Sequence, residues 1–239
     1  MLKQDDYKQH ISEKFNDELE AIKNHLLEMG GKVEQQLAAA LEAVVERDSG
    51  KAQDIVDRDH EINAMEKKID DECATILARR QPAASDLRLV VAVIKVNTDI
   101  ERIGDEAAKI AHQAIRLSEE NVSPTNHIEL RQIGVHVSSL LHKALDALAR
   151  LDLELAVEVV QEDSEVDKAY GSVMRSLATF MMEDPRNIGC ILNEMWALRS
   201  LERIGDHAAN IAEHVVYLVR GLDVRHQSID KMIDQVGDL

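Results

Sequence analysis

Glu101–Ala111 reads ERIGDEAAKIA and Glu202–Ala212 reads ERIGDHAANIA. The segments differ only at Glu106/His207 and Lys109/Asn210, so nine of eleven positions are identical, and they stand 101 residues apart in a chain of 239. That spacing implies duplication of a unit of domain size, and the chain is read as two copies of one architecture. Around the second segment, Leu198, Leu201, Ile204, Ala208, Ile211, Val215 and Leu218 recur at helical intervals and define one apolar stripe.

Working outward, punctuation divides each copy into three helices. Asp48-Ser49-Gly50 and Gln81-Pro82 interrupt the first copy and give helices near 8–47, 49–80 and 84–119. Asn121, Ser123 and Pro124 mark a linker. In the second copy Leu151-Asp152 and Glu183-Asp184-Pro185 play the same part, with Asp184 as an N-cap before proline; helices follow near 125–150, 153–182 and 185–220. A helix of about 36 residues is ~54 Å long at 1.5 Å per residue, which calls for long bundles. Aromatic residues make up only 3% of the chain, with Gly at 10 and Pro at 3, a balance that suits aliphatic helix seams over sheets. The expected fold is therefore all-α, two tandem antiparallel three-helix bundles over 1–120 and 121–221, with a polar tail over 222–239 that frays. Ile55, Ile62, Met65 and Ile69 mark the buried stripe of the second helix. Met181, Met182 and Trp196 are expected in the core, and Cys73 and Cys190 as buried small apolar residues.

Net charge bounds the partners. At −17 the chain repels a phosphate backbone, and no basic stripe with interleaved aromatics is present, so nucleic acid is disfavoured while cations and basic protein surfaces are favoured. The longest run free of Asp, Glu, Lys and Arg, Gln132 to His142, is far shorter than the ~18 residues a membrane span needs. Met1 leads straight into Lys3, Asp5 and Asp6, and the two cysteines form no pair motif, so a cytoplasmic protein is expected.

The acids carry the chemistry. Glu101 and Asp105 stand four apart and share one helix face, as do Glu202 and Asp206. Like charges at that spacing cost an isolated helix a few tenths of a kcal/mol, so the repeated arrangement invites a cation. Asp59 falls between Ile55 and Ile62, and Asp163 between Val159 and Val166, where an acid is costly unless paired or metal-bound. Asn63 and Asp167, one turn further on, extend the oxygen cage. Oxygen-only donors suit Mg²⁺, Mn²⁺, Ca²⁺ or iron better than a closed zinc site. Against this stand the solvated acid pair and the acid met by arginine, here Arg88, Arg102 or Arg203, which are also candidates for partner contact. Gly104 and Gly205 cost ~1 kcal/mol each inside helices and point to close helix contact, with ligand access as the sharper reading. His112, His207 and His214 are read as groups behind the ligands. No histidine has Glu three residues before it, which argues against a ferritin-like di-iron enzyme. A phosphate loop and a G-x-S-x-G elbow are also missing.

The two ERIGD-x-AA-x-IA segments, HIS-x-x-F-x-x-EL and LLEMG between His10 and Gly30, RRQPAASDLR from Arg79 to Arg88 and YLVRG from Tyr217 to Gly221 together resemble the PhoU family over nearly the whole chain. The resemblance implies two similar three-helix bundles whose E/D-x-x-x-D motifs hold metal ions or multinuclear clusters. Glu101, Asp105, Glu202 and Asp206 would be the motif ligands, with Asp59 and Asp163 facing them. Lys109 and Asn210 stand where a third acid could extend each motif, which leaves cluster size open. The ion is divalent or iron-type, with Mg, Mn, Fe, Zn and Ni all admitted. The resemblance further implies a negative regulator of phosphate uptake and the phosphate-starvation response. Such a protein links the nucleotide-binding subunit of the phosphate ABC transporter to a phosphate-sensing histidine kinase; it works as a homodimer, peripheral to the membrane through its partners. A metal-free helical adaptor and, with less support, a metal-dependent enzyme are the alternatives.

Overall fold

Six long α-helices carry the chain: α1 (Gln4–Glu46), α2 (Ser49–Arg80), α3 (Ala84–Glu119), α4 (His127–Arg150), α5 (Leu153–Glu183) and α6 (Ile188–Arg220). A computed structural model describes residues 4–120, 127–225, 227 and 231–234, and contains no strand among them. Helices α1, α2 and α3 pack on one another as one antiparallel bundle, and α4, α5 and α6 as a second. The proposed linker residues Asn121, Ser123 and Pro124 lie outside the described residues.

Both first corners are built alike. Arg47 and Leu151 adopt the left-handed conformation, each at φ 55. The next residue's amide then closes back onto the helix just ended, Asp48 N to Ala43 O and Asp152 N to Ala147 O at 3.0 Å each. Asp48 and Asp152 go on to cap the following helix, accepting from Lys51 N and Leu155 N. The same three-step device appears at positions 104 apart, a local imprint of the duplication.

The bundles join along α3 with α6 and α1 with α4. A β-carbon on Gly30 would lie 2.8 Å from Leu145, and one on Gly134 would lie 2.5 Å from Leu41. This contact is reciprocal, residue for residue, as across a two-fold axis. Between α3 and α6 the small residues Ala107, Ala108, Ala208 and Ala209 are buried and let the axes approach. Ile100, Ile103, Ile110, Leu198, Leu201, Ile204 and Ile211 belong to one continuous core with Leu37, Ile69, Leu141 and Val166.

Three expectations are corrected. Trp196 is 59% exposed and Met182 77% exposed, so neither is a core residue, whereas Met181 packs against the core. Trp196 stands two residues before Leu198, off the apolar stripe of α6 and on its exposed side. The tail does not simply fray: Val224 and Met232 are both 2% exposed and join the core, because a polar segment with an occasional aliphatic side chain still buries that side chain where a groove receives it. Pro185 opens a 3-10 turn (Pro185–Asn187) and not α6 itself, which begins at Ile188; Asp184 caps this turn, accepting from Arg186 N. Cys73 and Cys190 are buried as expected.

Candidate metal centres

Each acid cluster forms where a motif helix meets the middle helix of its bundle. In the second bundle α6 supplies Glu202 and Asp206, and α5 supplies Asp163 and Asp167. Ligand atoms of Asp167, Glu202 and Asp206 all lie within 4.8 Å of one another. Asp163 stands beside them above Gly205, where a β-carbon would come within 2.9 Å of Asp163 Oδ1. Gly205 is thus needed to admit a carboxylate, the ligand-access reading of that glycine. Gly104 serves helix contact instead, since its β-carbon would meet Ile62 Cγ2 at 3.3 Å and Gln36 Oε1 at 3.6 Å.

Electrostatics sharpen the second cluster. Burial, then Asp167, Asp206 and Glu202, push the Asp163 carboxyl up to about 7. Burial and Asp206 raise Glu202, and burial and Asp167 raise Asp206. Arg199 offers Glu202 one ion pair at 3.3 Å. Buried Asp163 Oδ1 and Glu202 Oε2 have no hydrogen-bond partner. Buried carboxylate oxygens without donors, crowded by further carboxylates, fit a hard cation: the donor set is oxygen only, and the ion would supply the missing positive charge.

The first cluster is differently furnished. Gln36 Nε2 donates to Asp59 Oδ1 at 3.2 Å and Asn63 Nδ2 to Asp59 Oδ2 at 3.3 Å, so amides answer both oxygens of this acid. Burial and Asp105 raise Glu101; burial and Asp59 raise Asp105. Glu66 joins them, raised by burial and by Asp70, with Asp105 contributing. Among the described residues no three acids of this bundle converge as closely as the trio in the other.

The arginines divide. Arg203 pairs with buried Glu106 at 2.6 Å, tying α6 to α3. Arg88 lies against Gly221 at the end of α6, within 2.5 Å of where a β-carbon would stand. Arg102 is exposed beside Glu101.

Several residues were not anticipated. Glu66 sits seven residues after Asp59 on the same face of α2, so helical spacing could have found it. Gln36 comes from α1, and nothing in its local sequence connects it to Asp59. Nor does spacing reveal the polar seam between bundles, where Asp99 accepts from His207 Nδ1 at 2.9 Å and Asn210 Nδ2 at 3.3 Å, with His214 Nε2 at 3.6 Å. Burial pushes the Asp99 carboxyl up, but the hydrogen bonds with His207 and His214 outweigh it and hold it down at about 2. His207 and His214 therefore serve the joint between bundles, while His112 is exposed.

Comparison with known proteins places this geometry. The PhoU domain family model matches residues 26–114 and again 130–215. The chain is 54% identical over 236 residues to the phosphate-specific transport system accessory protein PhoU homolog of Pseudomonas aeruginosa, covering 99% of this chain and 98% of that one. It is 44% identical over 223 residues to the PhoU accessory protein of Escherichia coli strain K12, covering 93% and 92%. The crystal structure of PhoU from Pseudomonas aeruginosa superposes with a TM-score of 0.85 at 56% identity, over 87% of this chain and 100% of that one. The phosphate transport system regulatory protein PhoU from Streptococcus pneumoniae gives 0.80 at 31% identity, over 87% and 98%. With the motif matched twice and the whole architecture shared, the chain belongs to the PhoU family.

Proposed function

We propose that this PhoU-family protein is a metal-binding negative regulator of phosphate uptake, conveying phosphate sufficiency from the phosphate ABC transporter to a phosphate-sensing histidine kinase. The family is one of accessory and regulatory proteins, and the chain is not an enzyme. Contact with the transporter's nucleotide-binding subunit and with the kinase would hold it at the inner face of the membrane; no described helix is long and apolar enough to cross one. A homodimer is part of this reading.

The observation that carries the metal assignment is the convergence of Asp167, Glu202 and Asp206 beside the stranded oxygen of Asp163. Glu101, Asp105 and Asp59, with Glu66, would hold the ion of the first bundle. Mg²⁺, Mn²⁺ and iron fit carboxylates best, and Zn²⁺ or Ni²⁺ would bind less selectively. An ion held there would neutralise the acids, and the carboxylates of two helices in each bundle would be joined through it.

Metal analysis tests this directly. Protein purified without chelators is expected to carry metal that the Glu101→Ala, Asp105→Ala, Glu202→Ala, Asp206→Ala variant has lost while remaining helical. Equal metal content in both proteins overturns the ligand assignment. A metal-free adaptor is the second reading, favoured by the amides that already answer both oxygens of Asp59. Chelation separates the two: an adaptor keeps its melting temperature and partner binding, and a metal-organised bundle loses stability with its ligand.

A further inference from the structure

Helix α1 contributes no acid to the first cluster, yet the side chain of Gln36 reaches into it. Gln36 Nε2 donates to Asp59 Oδ1 on α2 at 3.2 Å and to the Gly104 carbonyl on α3 at 3.4 Å. One amide thus spans all three helices of the bundle, one residue away from Asp105. The second bundle has a leucine in the same place: Leu140 Cδ2 lies 3.8 Å from where a β-carbon on Gly205 would stand, as Gln36 Oε1 lies 3.6 Å from one on Gly104. Leucine packs there but has nothing to donate.

A cation arriving at Asp59 competes with that amide. Both bring positive charge to the same carboxylate, and the two repel each other across so short a distance. At 3.2 and 3.4 Å the bonds of Gln36 are long for N–H···O contacts, so little holds its donor end against a full charge. The donor end therefore turns away as an ion binds.

Helix α1 is also the strut between the bundles. Gly30 meets Leu145 and Leu41 meets Gly134, both on α4. These contacts are three turns apart on one face of α1. Gln36 lies between them on another face, beside Val33, whose Cγ2 is 3.7 Å from the place of a Gly104 β-carbon. The helix that supplies the competing donor is thus the helix that lies on the second bundle.

We infer that Gln36 is an occupancy reader: it competes with the cation for Asp59, lowers the affinity of the first centre, and on release lets α1 pass the change to α4. This deepens the regulatory reading above and rests on its metal assignment. By linkage the coupling runs both ways, so a partner that favours the released form of α1 tightens the first centre.

The test uses the full chain with Asp167→Asn as parent, so that the first centre is read alone. Two further variants remove the donor: Gln36→Leu, which copies the second bundle, and Gln36→Met, which keeps the length of the side chain. Calorimetric titration of the chelator-stripped proteins with Mn²⁺ should show both variants binding roughly five-fold tighter than the parent, the worth of one hydrogen bond, at unchanged helical circular dichroism. With isotope-labelled glutamine and diamagnetic Mg²⁺, the side-chain amide protons of Gln36, identified by their loss in Gln36→Met, should shift and exchange faster with water as the ion binds. The methyl resonances of Leu41 and Leu145 should move with Mg²⁺ in the parent and stay still in Gln36→Met. Weaker binding by the variants overturns the inference, since Gln36 would then support the ligands; so do amide protons indifferent to Mg²⁺. Leucine methyls that respond alike in parent and Gln36→Met overturn the passage through α1. A parent that binds neither ion removes the first centre and this inference with it, while metal retained by wild type keeps the metal reading on the second bundle.

Discussion

The two acid clusters descend from one motif, yet they solve the burial of carboxylates differently. On the motif helices they are the same, Glu101 and Asp105 against Glu202 and Asp206. The difference comes from the helices opposite. Gln36 of α1 and Asn63 of α2 donate to Asp59, whereas the equivalent positions in the second bundle are Leu140, which cannot donate, and Asp167, which adds a charge. Asp163 is left with an orphaned buried oxygen where Asp59 has two amides. The two motif helices keep the same acids while the helices opposite them differ, so the first cluster stands alone better than the second.

The strongest way to break that comparison is to remove the stranded charge. A carboxyl pushed from 3.8 to about 7 corresponds to roughly 4 kcal/mol as an upper bound; Asp163 is partly exposed, and solvent screening reduces this to about 2 kcal/mol. Metal-free Asp163→Asn should therefore melt about 4–8 °C above metal-free wild type near neutral pH, and should lose the gain that metal gives wild type. In contrast, Asp59→Asn should destabilise by about 1 kcal/mol, because asparagine keeps one acceptor oxygen and turns the other toward the second amide donor, Gln36 or Asn63, as an N–H₂ group. Scanning calorimetry on chelator-treated proteins reads both, and an equal response in the two bundles would refute the asymmetry.

Next in size is the pH dependence. The folded value of Asp163 lies above its unfolded value, so the folded protein holds the extra proton; the stabilisation is complete below 3.8 and is lost as pH rises through about 7. Buried Glu194, pushed by burial to about 7 against the pull of Arg47, acts with the same sign. Metal-free wild type should thus melt progressively lower as pH rises over that window. Asp163→Asn should flatten the slope and leave the share of Glu194 and of the other raised acids, Glu66, Glu101, Asp105, Glu202 and Asp206; a slope unchanged by the substitution would assign the whole effect elsewhere.

A smaller effect, but a sharper one, comes from exchanging the divergent pair. Asn63→Asp should cost metal-free protein about 1 kcal/mol and tighten metal binding in the first bundle, while Asp167→Asn should do the reverse in the second. Calorimetric titration with Mn²⁺ reads both directions, and parallel rather than opposite changes would break the comparison.

The smallest contrast is between glycines. Gly104→Ala gains up to ~1 kcal/mol of helix propensity and presses Ile62 by a few tenths of an ångström, for a net change in melting near zero. Gly205→Ala should displace the Asp163 carboxylate and weaken Mn²⁺ binding in the second bundle alone.

These contrasts also mark what sequence could show. The motif, its repetition and the placing of Asp59 and Asp163 on apolar seams were legible, because helical periodicity and proline, glycine and aspartate punctuation act within one helix. The all-α fold followed from the same signals. What lay hidden joins helices distant in the chain: Gln36 reaching Asp59, the Asp99–His207–His214 seam, and the Gly30–Leu145 contact with its mirror Gly134–Leu41. Trp196 misled because its size argues for burial, while it stands two residues before Leu198, off the apolar stripe of α6, and is exposed. Glu66 was legible, since it stands seven residues after Asp59 on the same face of α2.

Of the two acid clusters, the second should hold a cation more tightly than the first. Titrating Mn²⁺ into chelator-stripped wild type beside Asp167→Asn tests it most directly. Two classes of site are expected in wild type, the tighter abolished in Asp167→Asn and the weaker unchanged. Retention of the tighter class in Asp167→Asn, or its loss in a Glu101→Ala, Asp105→Ala variant instead, would contradict it.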